Sequence, residues 1–165
     1  IQPSTGTSSL WSVRYDGGAF GTPQTFASGS SIDSLRLGVG DYGGSGVATW
    51  TQSGSIYRQV LLTGSATWED AGIVAGSNPT SFGPDVAVDY DGNGIIVWAQ
   101  GNVIRLTKMN SAGTESISQA RVSNETSAAV AAPRVIVGPT GKAIIVWRGW
   151  DGTRWNLYGN AVDIN

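Results

Sequence analysis

Three stretches of this chain are versions of one another, and no other feature restricts its fold as much. They are LRLGVGDYGGSGVATWTQ at 35–52, PDVAVDYDGNGIIVWAQ at 84–100 and PRVIVGPTGKAIIVWRG at 133–149. Their tryptophans, Trp50, Trp98 and Trp147, are spaced by 48 and 49 residues. The likeness extends outward, since SNPTS at 77–81 answers SNETS at 123–127, each shortly before the next proline. A chain written this way stacks similar units, and each unit buries its apolar face against its neighbour.

Each repeat reads as strands. Leu37/Val39, Val86/Val88 and Val135/Val137 alternate with smaller or polar neighbours; that is a period of two, which a strand has and a helix does not. The next segments, 47–50, 95–98 and 144–147, are mostly apolar on both faces. Such strands are expected to be buried on both sides, as in a sheet held between two others. Third strands are expected at 56–62, 103–109 and 155–162, and weaker fourth ones at 71–75 and 117–122, with glycine-rich or polar turns between them. At the N-terminal end, 10–15 resembles a third strand and 19–27 a fourth. No segment carries a helical pattern.

Four antiparallel strands per ~50 residues is the blade pattern of a β-propeller. The expected fold is therefore all-β and propeller-like: four-stranded antiparallel blades, about three of them, with partial terminal strands. One domain covers 1–165, with repeats at about 35–83, 84–132 and 133–165, and with 1–34 completing a blade. The strands group as two, four, four and three, whereas propellers typically have four to eight blades. The ring is accordingly expected to be completed either by further sequence or by another copy, making the chain a homo-oligomer or part of a longer polypeptide. It begins at Ile1 and shows no charged segment followed by an apolar one, which reads as a mature or excised product.

Composition narrows the chemistry. Cysteine and histidine are both absent, which removes thiol nucleophiles, disulfides, the usual zinc sites and imidazole acid–base chemistry. Ten Lys and Arg against twelve Asp and Glu give a net charge of −2, so no basic face suited to nucleic acid is expected. No run of eighteen apolar residues is present, so no membrane span is expected. Serine is abundant, but no G-x-S-x-G elbow occurs. The pairs Glu69/Asp70 and Asp89/Asp91 read as solvated turn residues, and no carboxylates stand in a recognisable glycosidase motif. Asn124-Glu125-Thr126 matches a glycosylation acceptor, a match short enough to arise by chance.

The pattern P-x-V-x-V-x-x-x-G-x-x-I-I-V-W, with WDGTRWNLYGN at 150–160 and LWSVRYDGGAFG at 10–21, resembles the ~50-residue repeats of bacterial secreted or cell-envelope β-propeller proteins. The resemblance covers nearly the whole chain. It implies a secreted or envelope location and a propeller fold, and it is weak for activity, because that fold hosts lectins, hydrolases, lyases and plain scaffolds.

Two sets of residues are candidates for a site. Asp89, Asp91 and Asn93 can supply three side-chain oxygens of a calcium loop, but calcium takes six to eight. The matching turns GDYGGS at 40–45 and GPTGK at 138–142 keep glycines and lose the ligands. A hairpin turn needing positive φ is thus the favoured reading, with no cofactor, and calcium is the alternative. Trp50, Trp98 and Trp147 recur and are read as packing between blades. Trp11, Trp68, Trp150 and Trp155 do not recur. Trp150, Asp151, Arg154 and Trp155 form the densest group of aromatic, acidic and guanidinium side chains, suited to stacking on a sugar and hydrogen-bonding its hydroxyls; a tip that only packs is the plainer alternative. The functional expectation is a non-catalytic extracellular or envelope module that binds carbohydrate or protein. The alternative is a subunit or fragment of a carbohydrate-active enzyme with carboxylates around its axis; the inner-strand positions Arg36, Asp85 and Arg134 do not repeat an acid there.

Overall fold

The alternating segments fold into antiparallel strands in the computed structural model, which describes residues 6–40, 44–75, 83–123 and 127–165. The paired stretches 77–81 and 123–127, the acceptor at Asn124 and part of the 40–45 turn lie wholly or partly outside the described residues. The strands are β1 (Ser8–Ser12), β2 (Tyr15–Asp16), β3 (Ala19–Phe20), β4 (Gln24–Gly29), β5 (Ile32–Val39), β6 (Gly46–Gln52), β7 (Ser55–Leu61) and β8 (Trp68–Ala75). They continue as β9 (Asp85–Val88), β10 (Gly94–Gln100), β11 (Val103–Met109), β12 (Glu115–Arg121), β13 (Ala129–Val137), β14 (Lys142–Trp150) and β15 (Trp155–Asp163). Among the described residues there is no helix, hence none long and apolar enough to cross a membrane.

Sequential strands pair in order. β5–β8 and β9–β12 form four-stranded sheets, β13–β15 a three-stranded one, and β1 pairs with β4 in a small separate sheet. The expected fourth strand at 19–27 is divided: Ala19–Phe20 turns back on Tyr15–Asp16, and the strand proper begins at Gln24. Gly17, at φ +59°, makes that reversal, and Pro23 has no N–H with which to continue a ladder.

The three larger sheets stack, with β9 packed on β5 and β6 to one side and on β13 to the other. Two apolar layers result. Val47, Ile56 and Val60 of the first sheet meet Val86, Ile96 and Trp98 of the second. Ile95, Val97, Ile104 and Leu106 of the second meet Val135, Ile145 and Trp147 of the third. β10 therefore faces apolar neighbours on both sides, which explains its unbroken run Ile95-Ile96-Val97-Trp98. β14 departs from that expectation: it alternates buried and exposed positions, because among the described residues the third sheet has a packed neighbour on only one face. Trp50, Trp98 and Trp147 occupy matching places in β6, β10 and β14, all buried, each turned toward the preceding sheet. Trp50 meets Phe26 of β4 edge-on at 5.7 Å.

Polar ties cross the layers. Asp85 Oδ2 accepts from the Val135 amide at 2.9 Å, and Asp85 Oδ1 lies 3.8 Å from Arg36 Nε, so one inner-strand carboxylate joins three sheets. Arg58 Nη2 and Glu115 Oε1 stand 3.5 Å apart between the first two.

Candidate functional site

The turn between β9 and β10 uses its polar residues on itself. Asp89 is buried; its Oδ1 accepts from the Asn93 amide at 2.8 Å and its Oδ2 from Asn93 Nδ2 at 3.0 Å. Asn93 in turn donates to Asn165 Oδ1 at 3.0 Å and accepts from the Ser111 amide at 3.1 Å, tying the hairpin to the chain's last residue. Asp91 is exposed at the tip and is not brought into this set. Gly92 takes φ +89°, and Gly141 takes φ +73° at the same place in the third repeat's turn. Gly94 needs no positive φ; a Cβ there would come 3.0 Å from Met109. Among the described residues no group of three or more acidic side chains is placed to hold a metal. EDTA is expected to leave the melting temperature unchanged; a substantial drop would mean that a bound cation holds Asp89 and Asn93 together instead.

The turn between β14 and β15 brings Trp150, Asp151, Arg154 and Trp155 together. From Trp50 to its cross-strand partner Tyr57, and from Trp98 to Arg105, the chain advances seven residues. From Trp147 to Tyr158 it advances eleven. The third hairpin thus projects past the point where the other two turn back. Trp150 and Trp155 form the added pair, with ring centroids 5.8 Å apart and planes tilted by 55°. Gly149 stays paired with Val130 and Asn156, and a Cβ there would come 2.7 Å from the Tyr158 ring, which stacks on Trp147.

Asp151 holds the tip rigid. Its Oδ1 accepts from Thr153 Oγ1 at 2.7 Å and from the amides of Thr153 at 2.8 Å and Arg154 at 2.9 Å; its Oδ2 accepts from Asn156 Nδ2 at 2.7 Å. Arg154 Nε adds an ion pair at 3.7 Å. Both oxygens are thus engaged within the turn, which fixes the backbone between the two rings. The Thr153 hydroxyl above all, then the Arg154 and Thr153 amides and Asn156, hold its carboxyl well below the usual carboxylate range. The folded turn favours the ionised form, so its contribution to stability is full above the unfolded-chain value of about 3.9 and is lost only as pH falls through the lower folded value. Asp151 is expected to stay ionised well below the usual carboxylate range when its side-chain 13C carboxyl shift is followed through acid. Titration near pH ~4 would remove the lock.

The platform is half open. Trp155 is 46% exposed, and the Arg148 guanidinium lies 5.3 Å from its ring centroid. The Arg154 side chain is 78% exposed. Arg148 was not signalled by the sequence as part of this group; strand alternation places it two residues before Trp150 on the same face. The added length was visible in the spacing of the aromatic pairs.

A second concavity, of about 750 Å³, separates the small sheet from the outward face of the first large one. Trp11 and Phe26 line it on one side, Leu37, Val39 and Trp68 on the other.

No protein-family model and no curated protein matches this chain. Among solved structures it is similar to an α-L-arabinofuranosidase from Podospora anserina in complex with cellotriose, at 12% identity and a TM-score of 0.44. The match covers 79% of this chain and 53% of that one, so the chain spans about half the length of that enzyme.

Proposed function

We propose that this chain is a β-propeller-type module of a secreted or cell-envelope protein, related to bacterial repeat proteins of that kind, and that it binds carbohydrate through the arm at 150–155. The extension of this one hairpin carries the reading. In a repeat array, a unit that departs from its siblings by an insertion places that insertion where binding happens, and a loop held by a rigid scaffold is where function concentrates. Trp155 offers ring area for the C–H face of a sugar, Trp150 supports it at a fixed tilt, and Arg154 supplies fork-shaped donors for hydroxyls. Asp151 keeps the three in register, which lowers the ordering cost of binding.

A glycan array probed with labelled protein tests this, with the same glycans assayed for released reducing ends. The expected result is saturable binding without cleavage. Trp155→Ala is expected to weaken it at least about tenfold, or about 1.4 kcal/mol, as loss of an aromatic anchor does. An array without signal would overturn the proposal, and cleavage would transfer the chain to the enzyme class.

A further inference from the structure

The three stacked sheets end in two apolar faces that are copies of faces buried inside the stack. The position three residues before the repeat's tryptophan is Val47, Ile95 or Ile144. The first two are buried in the layers between sheets, while Ile144 is 51% exposed. The residue just before the tryptophan's cross-strand partner is Ile56, Ile104 or Leu157. The first two are fully buried, and Leu157 is 75% exposed. The opposite end of the stack shows the complement. Leu37, Val86 and Val135 each pair with the residue two before the tryptophan. Val86 and Val135 are buried, whereas Leu37 is 59% exposed and Val39, two residues on, 60%.

We infer that the chain associates head to tail with a second copy of itself, the Ile144 and Leu157 face of one copy covering the Leu37 and Val39 face of the next. Inside the molecule Val47 and Ile56 already cover Val86 in this way, and Ile95 and Ile104 cover Val135. The new contact would repeat, at Leu37 and Val39, the part of that junction which Phe26 of β4 leaves open. The β1–β4 sheet takes only part of that place: Phe26 of β4 lies against Trp50 and Trp68, while Leu37 and Val39 line the concavity left open beside them. Because the two faces differ, the contact is heterologous, closing as a ring or continuing as a chain of copies according to the rotation at each junction. The inference goes beyond the carbohydrate reading and does not depend on it.

The test is sedimentation of the full chain and two single variants at exposed positions, Leu37→Asp and Ile144→Asp, each expected to keep the wild-type circular dichroism spectrum. The wild type is expected to self-associate within about 1 to 100 µM, the range open to a modest interface. Each variant alone is expected to remain a monomer of 17.1 kDa. Mixed in equal amounts, the variants are expected to form a dimer and nothing larger, since one keeps the covering face and the other the covered one. A wild type that stays monomeric throughout, a variant that assembles as the wild type does, or a mixture that stays monomeric would each overturn the inference. None of these outcomes touches the glycan array.

Discussion

Trp98→Ala is expected to lower the free energy of unfolding by about 3–5 kcal/mol, the usual loss when a fully buried indole leaves a cavity in a core. No part of Trp98 is reached by solvent, and the ring lies in the layer between the first and second sheets with Val47, Val86 and Ile96. Its Nε1–H also donates to Gln100 Oε1 at 3.4 Å, as Trp50 donates to Gln52 at 3.2 Å. A domain's whole stability is about 5–15 kcal/mol, so the variant is expected to sit near the edge of folding. Urea melts check this through the midpoint at unchanged slope. Trp155→Ala, at an exposed ring on the projecting arm, is expected to move the same midpoint by about 0.5 kcal/mol or less. Equal losses from the two changes would contradict the division of the tryptophans into core and platform.

Asp85→Ala is expected to cost about 1–3 kcal/mol through groups left without a partner rather than through lost apolar contact. The Val135 amide would lose its carboxylate acceptor in the next sheet, and Arg36 its nearby charge in the previous one. Asp85→Asn keeps an oxygen for the amide and is expected to recover part of the loss. Hydrogen exchange at the Val135 amide separates the cases: it is expected to speed up in the alanine variant by more than the global change in stability explains.

Much of the architecture was written in the repeats. Period-two alternation located β5, β9 and β13, and the thirteen anticipated strands are all present, with the small β2–β3 hairpin in addition. That hairpin is not legible in the sequence, because Gly17-Gly18 sits within what reads as continuous extended chain and a two-residue strand is too short to show a period. The exposure of Ile144 was also hidden. Its sequence neighbourhood is nearly that of Ile95, and only the number of sheets stacked beyond it decides whether it meets protein or water. At the turn between β14 and β15 the grouping of Trp150, Asp151, Arg154 and Trp155 is legible in the sequence, and the hydrogen bonding within it is not. Asp151 stands beside two rings in the sequence, and the local Asx-type turn that engages both of its oxygens is not visible in composition.

On the proposed reading, the arm at 150–155 is an addition for binding on a scaffold that folds without it. Replacing residues 150–155, WDGTRW, by the SG of 53–54 would shorten the third hairpin to the length of the first and keep Gly149. Glycan-array binding and the urea midpoint of this chimera, measured beside the wild type, test the claim most directly. The expected result is a folded protein whose midpoint shifts by about 1 kcal/mol or less, the change of a few residues on a surface loop, with all glycan binding lost. Binding that survives the exchange, or a chain that no longer folds, would contradict it.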